Sequence, residues 1–218
     1  MDNHELFVEE KFNQVSKFIP ENSKVFDIGC NDGRMKDFLK NPVYYGVDIN
    51  KEVISELIKR DIKAKHADLN KNELPFKNEK FDFILLLDIL EHVVNPQKLL
   101  LDAKKRLNKD GKIIVSLPND YHVLNKARFL LNRHLTEDPF APYGHLHYFP
   151  IKSGENFLKN NGFEILTITH LIPVKPKLIP QPIKKILAHI FPQAFVRDVL
   201  YVLSASEKNF YKCKITSV

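Results

Sequence analysis

The segment FDFILLL at 81–87 constrains this chain more than any other stretch, because from Phe83 onward it is apolar at odd and even positions alike. A strand with one solvated face alternates. A strand that is apolar on both faces belongs inside a parallel sheet covered by helices on either side. The flanking sequence agrees. KVFDIG (24–29), YYGVDI (44–49) and KIIVSLP (112–118) are short apolar runs, IKAKHADL (62–69) is a weaker one, and FEILTIT (163–169) and LYVLSAS (200–206) supply two more. Helical patterns lie between them. One follows the run at 24–29 and reaches Lys40, one runs over 51–60, and a third starts at Asn95 as N-cap with Pro96 in the first turn.

That third helix is expected to bury Leu99, Leu100, Ala103 and Leu107, with Lys104-Lys105-Arg106 at the negative end of its dipole. Val8, Phe12, Val15 and Ile19 fall on one stripe of an amphipathic helix over 4–18 that stops before Pro20. Ser153 is expected to cap a helix through Lys159, and Gly162 to end it. The order of elements predicts an α/β fold: a doubly wound, mostly parallel, seven-stranded Rossmann-like sheet. Ligands then bind beyond the carboxyl ends of the strands, near the switch in strand order.

Four strand ends in succession carry polar candidates. Asp27-Ile28-Gly29-Cys30-Asn31-Asp32-Gly33 forms a glycine turn that lets a ligand approach the backbone, although such turns also occur for purely structural reasons. Asp48 ends the second strand nineteen residues after Gly29, where a carboxylate accepts both hydroxyls of a ribose. Asp68, with Leu69, follows the third strand. It is either an acceptor for an adenine amino group or the cap of a turn. Asp88, Glu91 and His92 follow the fourth strand and face the same crevice. A dinucleotide is a poor fit, since Asn31 and Arg34 stand where G-x-G-x-x-G has its second and third glycines.

In order and spacing, VFDIGCNDGR, YYGVDIN, HADLNKNELPFKNEKFDFILLLDILEHVVNP and GKIIVSLPN resemble the motifs of class I S-adenosylmethionine-dependent methyltransferases, over roughly residues 10–170. LEHVVNP resembles the UbiG-like branch. DLNKNELPF, SLPNDYHVLNKARFLLNR and HLHYFPIKSGENFLKNNGF resemble the MetW-like branch. The resemblance implies S-adenosylmethionine as cofactor, with Asp27, Gly29, Cys30, Asn31 and Gly33 at its methionine part. It implies Asp48 and Ile49 at the ribose, Asp68 and Leu69 at adenine, and Asp88 flanking the sulfonium. The family usually has glycine where Asn31 stands, and asparagine tolerates the left-handed backbone such a position requires. A second function implied by the MetW-like resemblance is a non-catalytic regulatory partner of a biosynthetic acyltransferase that binds the same cofactor.

Methyl transfer from a sulfonium is an in-line displacement, to which a protein contributes orientation and a base. The candidate bases are His92 and the pair His145 and His147, which alternation places on one face of an extended segment. These two histidines also make half a metal site, but no third ligand stands at a recognisable spacing, so no metal is expected. Their structural alternative is to pin residues 119–150 over the crevice.

With 218 residues, 44% of them hydrophobic, the chain has enough apolar material for a core without metal or disulfide staples. One domain is expected over 1–218, with an N-terminal helix (1–20), a cofactor half (21–118) and substrate-side segments at 119–150 and 171–199. Cys30 and Cys213 are too few for a disulfide framework and suit a reducing cytoplasm. No apolar run resembles a signal peptide or a membrane span.

The formal charge of +6 is unevenly placed: residues 1–118 hold 20 basic and 20 acidic side chains, residues 119–218 hold 13 and 7. The surplus therefore belongs to the substrate half and points to an anionic acceptor or surface there. Without a recognised RNA-binding module, nucleic acid is not the expected partner. In PIKKILAHIF (182–191), Ile183, Ile186, Leu187 and Ile190 share a helical face apart from Lys184, Lys185 and His189. The sequence favours packing of that face on the sheet. The sharper alternative is peripheral contact with an anionic membrane, to reach a lipid-linked acceptor.

Overall fold

The computed structural model describes residues 3–131, 144–172 and 180–205. Cys213, Pro173 and Pro176, and the parts of the substrate-side segments at 132–143 and 173–179, lie outside the described residues.

Seven strands form one sheet: β1 (Lys24–Ile28), β2 (Val43–Asp48), β3 (Lys63–His66), β4 (Phe81–Leu87), β5 (Leu107–Pro118), β6 (Phe163–Leu171) and β7 (Asp198–Ala205). Their spatial order is β3-β2-β1-β4-β5-β7-β6. The five strands from β3 to β5 run parallel, and β7 is antiparallel to both β5 and β6. The order reverses between β1 and β4, so the crevice for a ligand opens where those two strands end. The predicted mostly parallel, doubly wound sheet is the one observed.

Period-two alternation sorts the strand residues onto two covered faces. Phe26, Ile28, Ile84, Leu86, Ile113 and Val115 pack with Leu99, Leu100 and Ala103 of α3 (Pro96–Lys104) and with Leu158 of α5 (Ile151–Asn160). Val25, Phe83, Leu85 and Ile114 pack on the other side with Val15 of α1 (Asn3–Ser16) and with Ile54 and Leu57 of α2 (Lys51–Lys59). Burying each such aliphatic side chain contributes roughly 1.5–3 kcal/mol. Asn95 caps α3 as expected, its Oδ1 accepting from Lys98 N at 2.8 Å. Asn50 caps α2 in the same way. Gly162 ends α5 in the left-handed region at φ +79.

Five local expectations need correction, the first being that Leu107 opens β5 and does not lie on α3, which ends at Lys104. The stretch after Gly33 is a 3-10 helix over Arg34–Phe38, not a helix to Lys40. Helix α5 begins at Ile151 behind Pro150, whose fixed φ starts the turn without a Ser153 cap. Helix α1 ends at Ser16, short of the expected residue 18, and its inner face is Phe7, Lys11 and Val15, with Ile19 buried just beyond its end, while Val8 and Phe12 are only partly buried. In α6 (Gln181–Ile190) the buried positions are Lys184 and Ala188, whereas Ile183, Ile186 and Ile190 are exposed. The remaining helices are α4 (Val123–Leu130) and the short α7 (Pro192–Phe195).

Candidate functional site

Strand β1 delivers its turn directly into the crevice. Gly29 N and Cys30 N both donate to Val47 O, at 2.8 and 3.0 Å, which ties the turn to the end of β2. Gly29 has φ +81 and Gly33 φ +71. A Cβ on Gly33 would stand 2.6 Å from Leu57 Cδ2, so the position requires glycine. Asn31 has φ 43, the left-handed conformation that asparagine was expected to supply.

Asp48 accepts Asn31 N through Oδ2 and Asn50 N through Oδ1, both at 2.9 Å. One carboxylate thus fixes the glycine turn and the turn after β2 together. Each of its oxygens keeps acceptor capacity for a further donor. Ile49, next to it, is exposed.

Asp27 is buried, and Tyr44 Oη donates to its Oδ2 at 2.5 Å. Burial pushes this carboxyl up to about 7; the Tyr44 hydrogen bond opposes the rise, and the negative charges of Asp48 and Asp32 add to it. The side chain of Cys30 does not line the crevice. It is buried in the core beneath Gly46, where an added Cβ would meet its Sγ at 2.7 Å. What Cys30 can present to a ligand is backbone, because its thiol fills the space that Gly46 leaves open.

Asp68 behaves as the turn cap that the sequence left open. Its Oδ1 accepts Asn70 N at 3.0 Å and its Oδ2 lies 3.2 Å from Lys71 Nζ. These contacts, the Asn70 N–H first, hold its carboxyl below the usual range. Leu69 is half-buried beside it.

Asp88 follows β4 with φ 51. Its N–H donates to Ser116 Oγ at 2.9 Å, and that hydroxyl donates back to Asp88 Oδ1 at 2.5 Å. Lys11 Nζ bridges Asp88 Oδ2 and Asp198 Oδ2, so the N-terminal helix is pinned to the ends of β4 and β7. Burial alone would raise Asp88, but the Lys11 ammonium outweighs it and holds the carboxyl below its ordinary value.

The three histidines separate into two arrangements. His92 and His145 meet edge to face, with ring centroids 4.9 Å apart. His145 Nδ1 lies 3.1 Å from Asp120 Oδ1, and His92 Nδ1 lies 3.4 Å from Gly144 O. His147 points elsewhere: its Nε2 donates to Val93 O at 2.9 Å, as the pinning alternative requires. Leu146 N and His147 N both donate to Glu91 O, at 2.7 and 3.1 Å. The segment after β4 and the segment at 144–147 are therefore laced together by backbone and side-chain bonds. The sequence paired His145 with His147, whereas the fold pairs it with His92 and Glu91.

Sequence reasoning did not identify Lys11, Tyr44, Ser116, Asp120, Asp198 or the part played by Glu91. A signal for Lys11 existed: Phe7, Lys11, Val15 and Ile19 form a stripe as regular as the apolar one chosen, with a cation in it.

Residues 3–168 match the family model described as a methyltransferase domain. An uncharacterised protein of Methanocaldococcus jannaschii is 31% identical over 172 residues, covering 78% of each chain. A tRNA U34 carboxymethyltransferase of Campylobacter jejuni subsp. jejuni is 36% identical over 118 residues, 48% of this chain and 39% of that one. The chain thus spans well under half the length of this enzyme. Among solved structures, a SAM-dependent methyltransferase of Thermotoga maritima superposes with a TM-score of 0.64 at 18% identity, covering 91% of this chain and 89% of that one. The extent of the family match, on a sheet of this strand order, means that the chain belongs to the methyltransferase-domain family with the class I fold of S-adenosylmethionine-dependent methyltransferases.

Proposed function

We propose that this chain transfers the methyl group of S-adenosylmethionine to an oxygen or nitrogen nucleophile of a small or lipid-linked, anionic acceptor. The observation that carries the assignment is the clamp of Asp48 on Asn31 N, because it presents a rigid glycine turn and an acceptor carboxylate at adjacent strand ends of the switch point.

The residues present fit the cofactor. The left-handed turn from Gly29 to Gly33 brings backbone close to a ligand, and the buried Asp27 carboxyl awaits a cation, which the amino group of a methionine moiety provides. In this assignment Gly29, the Cys30 backbone, Asn31 and Gly33 hold the methionine part, Asp48 with Ile49 the ribose, and Asp68 with Leu69 the adenine. Asp88 flanks the sulfonium. When bound, the cofactor supplies a methyl group on a positively charged sulfur. The protein's part is to orient the acceptor and to take its proton, and in this assignment the base comes from the His92 and His145 pair, whose rings meet edge to face. His147 acts by holding the loop.

The basic surplus of residues 119–218 favours an anionic acceptor. Ile183, Ile186 and Ile190 are exposed with Lys185 on the same short helix, and Phe191 is exposed just past its end, a pattern that supports contact with an anionic lipid surface. Among the described residues no helix is long and apolar enough to cross a membrane.

The experiment is detection of S-adenosylhomocysteine when the purified chain and S-adenosylmethionine are mixed with acidic small-molecule and lipid-extract fractions. Product formed only with a lipid or metabolite fraction supports the assignment. Product formed only with bulk tRNA overturns the acceptor class, and absence of product with every fraction favours the regulatory role. Flotation of the native chain with anionic liposomes tests the membrane contact, and no flotation counts against it.

A further inference from the structure

Glu91 is fully buried, yet neither of its carboxylate oxygens has a hydrogen-bond partner among the described residues. A buried carboxyl left in this way is costly unless something else satisfies it. Two imidazoles stand close to it: one ligand atom each from Glu91, His92 and His145 lie within 4.8 Å of one another.

We propose that Glu91, His92 and His145 form a binding site for a single divalent transition-metal ion, with zinc the best-matched. Two imidazole nitrogens and one carboxylate oxygen are the donor set of a zinc site that keeps its fourth position open, whereas calcium and magnesium favour all-oxygen sets. Tetrahedral ligands at zinc distances stand about 3.4 Å apart, so the three groups need only small side-chain rotations to close on an ion.

The surroundings are those of a built site. The carboxylate of Asp120 lies against His145 Nδ1 and the carbonyl of Gly144 against His92 Nδ1, contacts that orient both rings. Asp120 Oδ2 is likewise buried without a hydrogen-bond partner among the described residues. The bonds from Leu146 N and His147 N to Glu91 O hold the two ligand-bearing segments together. With both imidazoles bound to the ion neither serves as the base, and the ion takes over that part: it leaves a coordination position for water or for an oxygen of the acceptor, whose proton it would make easier to remove.

The test is zinc titration of the full chain after chelator treatment, read by calorimetry and by competition with a chromophoric zinc indicator. One zinc per chain is expected, with binding weakened more than about 100-fold in Glu91→Gln and His145→Ala and about 10–100-fold in Asp120→Asn. Should the Glu91 and His145 variants fail to fold, cobalt(II) added to the native chain decides: the intense visible absorption of a low-coordinate site supports the proposal, and the weak spectrum of hydrated cobalt overturns it. Failure of the folded native chain to take up stoichiometric zinc, or equal uptake by folded Glu91→Gln and His145→Ala, also overturns it. These titrations contain no S-adenosylmethionine, so the metal site and the methyltransferase assignment fail or stand separately.

Discussion

Lys11, on the N-terminal helix, and Asp88, at the end of the central strand β4, form an ion pair across 77 residues of sequence, with the lysine side chain buried. Asp198 at the start of β7 shares the same ammonium. Removing the cation leaves two carboxylates facing each other, so Lys11→Met is expected to cost about 3–5 kcal/mol of stability. Urea denaturation measures it. Asp198→Asn in the same chain should recover part of the loss, and an additive double mutant would show that the three groups do not act as a unit.

The pair of Asp27 and Tyr44 makes cofactor affinity pH-dependent. Burial raises the Asp27 carboxyl to about 7. A group whose native value lies above its unfolded value contributes stability while protonated, and that contribution is lost as pH rises from about 4 through about 7. Binding a cationic amino group has the opposite preference, since it favours the carboxylate. S-Adenosylmethionine should therefore bind more tightly at pH 8 than at pH 6, with roughly one proton released at the lower pH. Calorimetry in buffers of different ionisation enthalpy measures that proton. Tyr44→Phe removes the donor that favours the carboxylate and should move the affinity profile to higher pH; an unmoved profile contradicts the role given to Asp27.

Gly46 and Cys30 are matched in size. Gly46→Ala places a methyl group 2.7 Å from the Cys30 sulfur and should destabilise the chain by about 1–3 kcal/mol. Adding Cys30→Ala relieves the collision, and thermal unfolding of the double mutant should recover much of the loss. A double mutant no better than Gly46→Ala would mean that the thiol does not occupy that space.

What the sequence made legible was whatever depends on neighbours along the chain. The two-faced apolar run at 81–87, the left-handed Asn31 and the Asn95 cap each follow from the local preferences of a few residues. Lys11 did not, because hydrophobic periodicity discounts a cation, and its partners lie on strands that only the fold brings near. The exposure of α6 escaped for a related reason: a pattern shows that an apolar face exists and is silent about what it meets. His92 and His145 are 53 residues apart in sequence, so their meeting depends on the chain between them, whereas the four strand ends come together through topology alone.

The central claim is that the Asp48-clamped turn receives S-adenosylmethionine, and calorimetric titration of the cofactor into the native chain and into Asp48→Ala tests it most directly. Saturable binding of one molecule per chain is expected, weakened at least about tenfold in the variant by loss of the hydrogen bonds that fix the turn and reach the ligand. A folded native chain that binds no cofactor up to about 1 mM, or an Asp48→Ala variant that binds it as tightly as the native chain, would contradict the account.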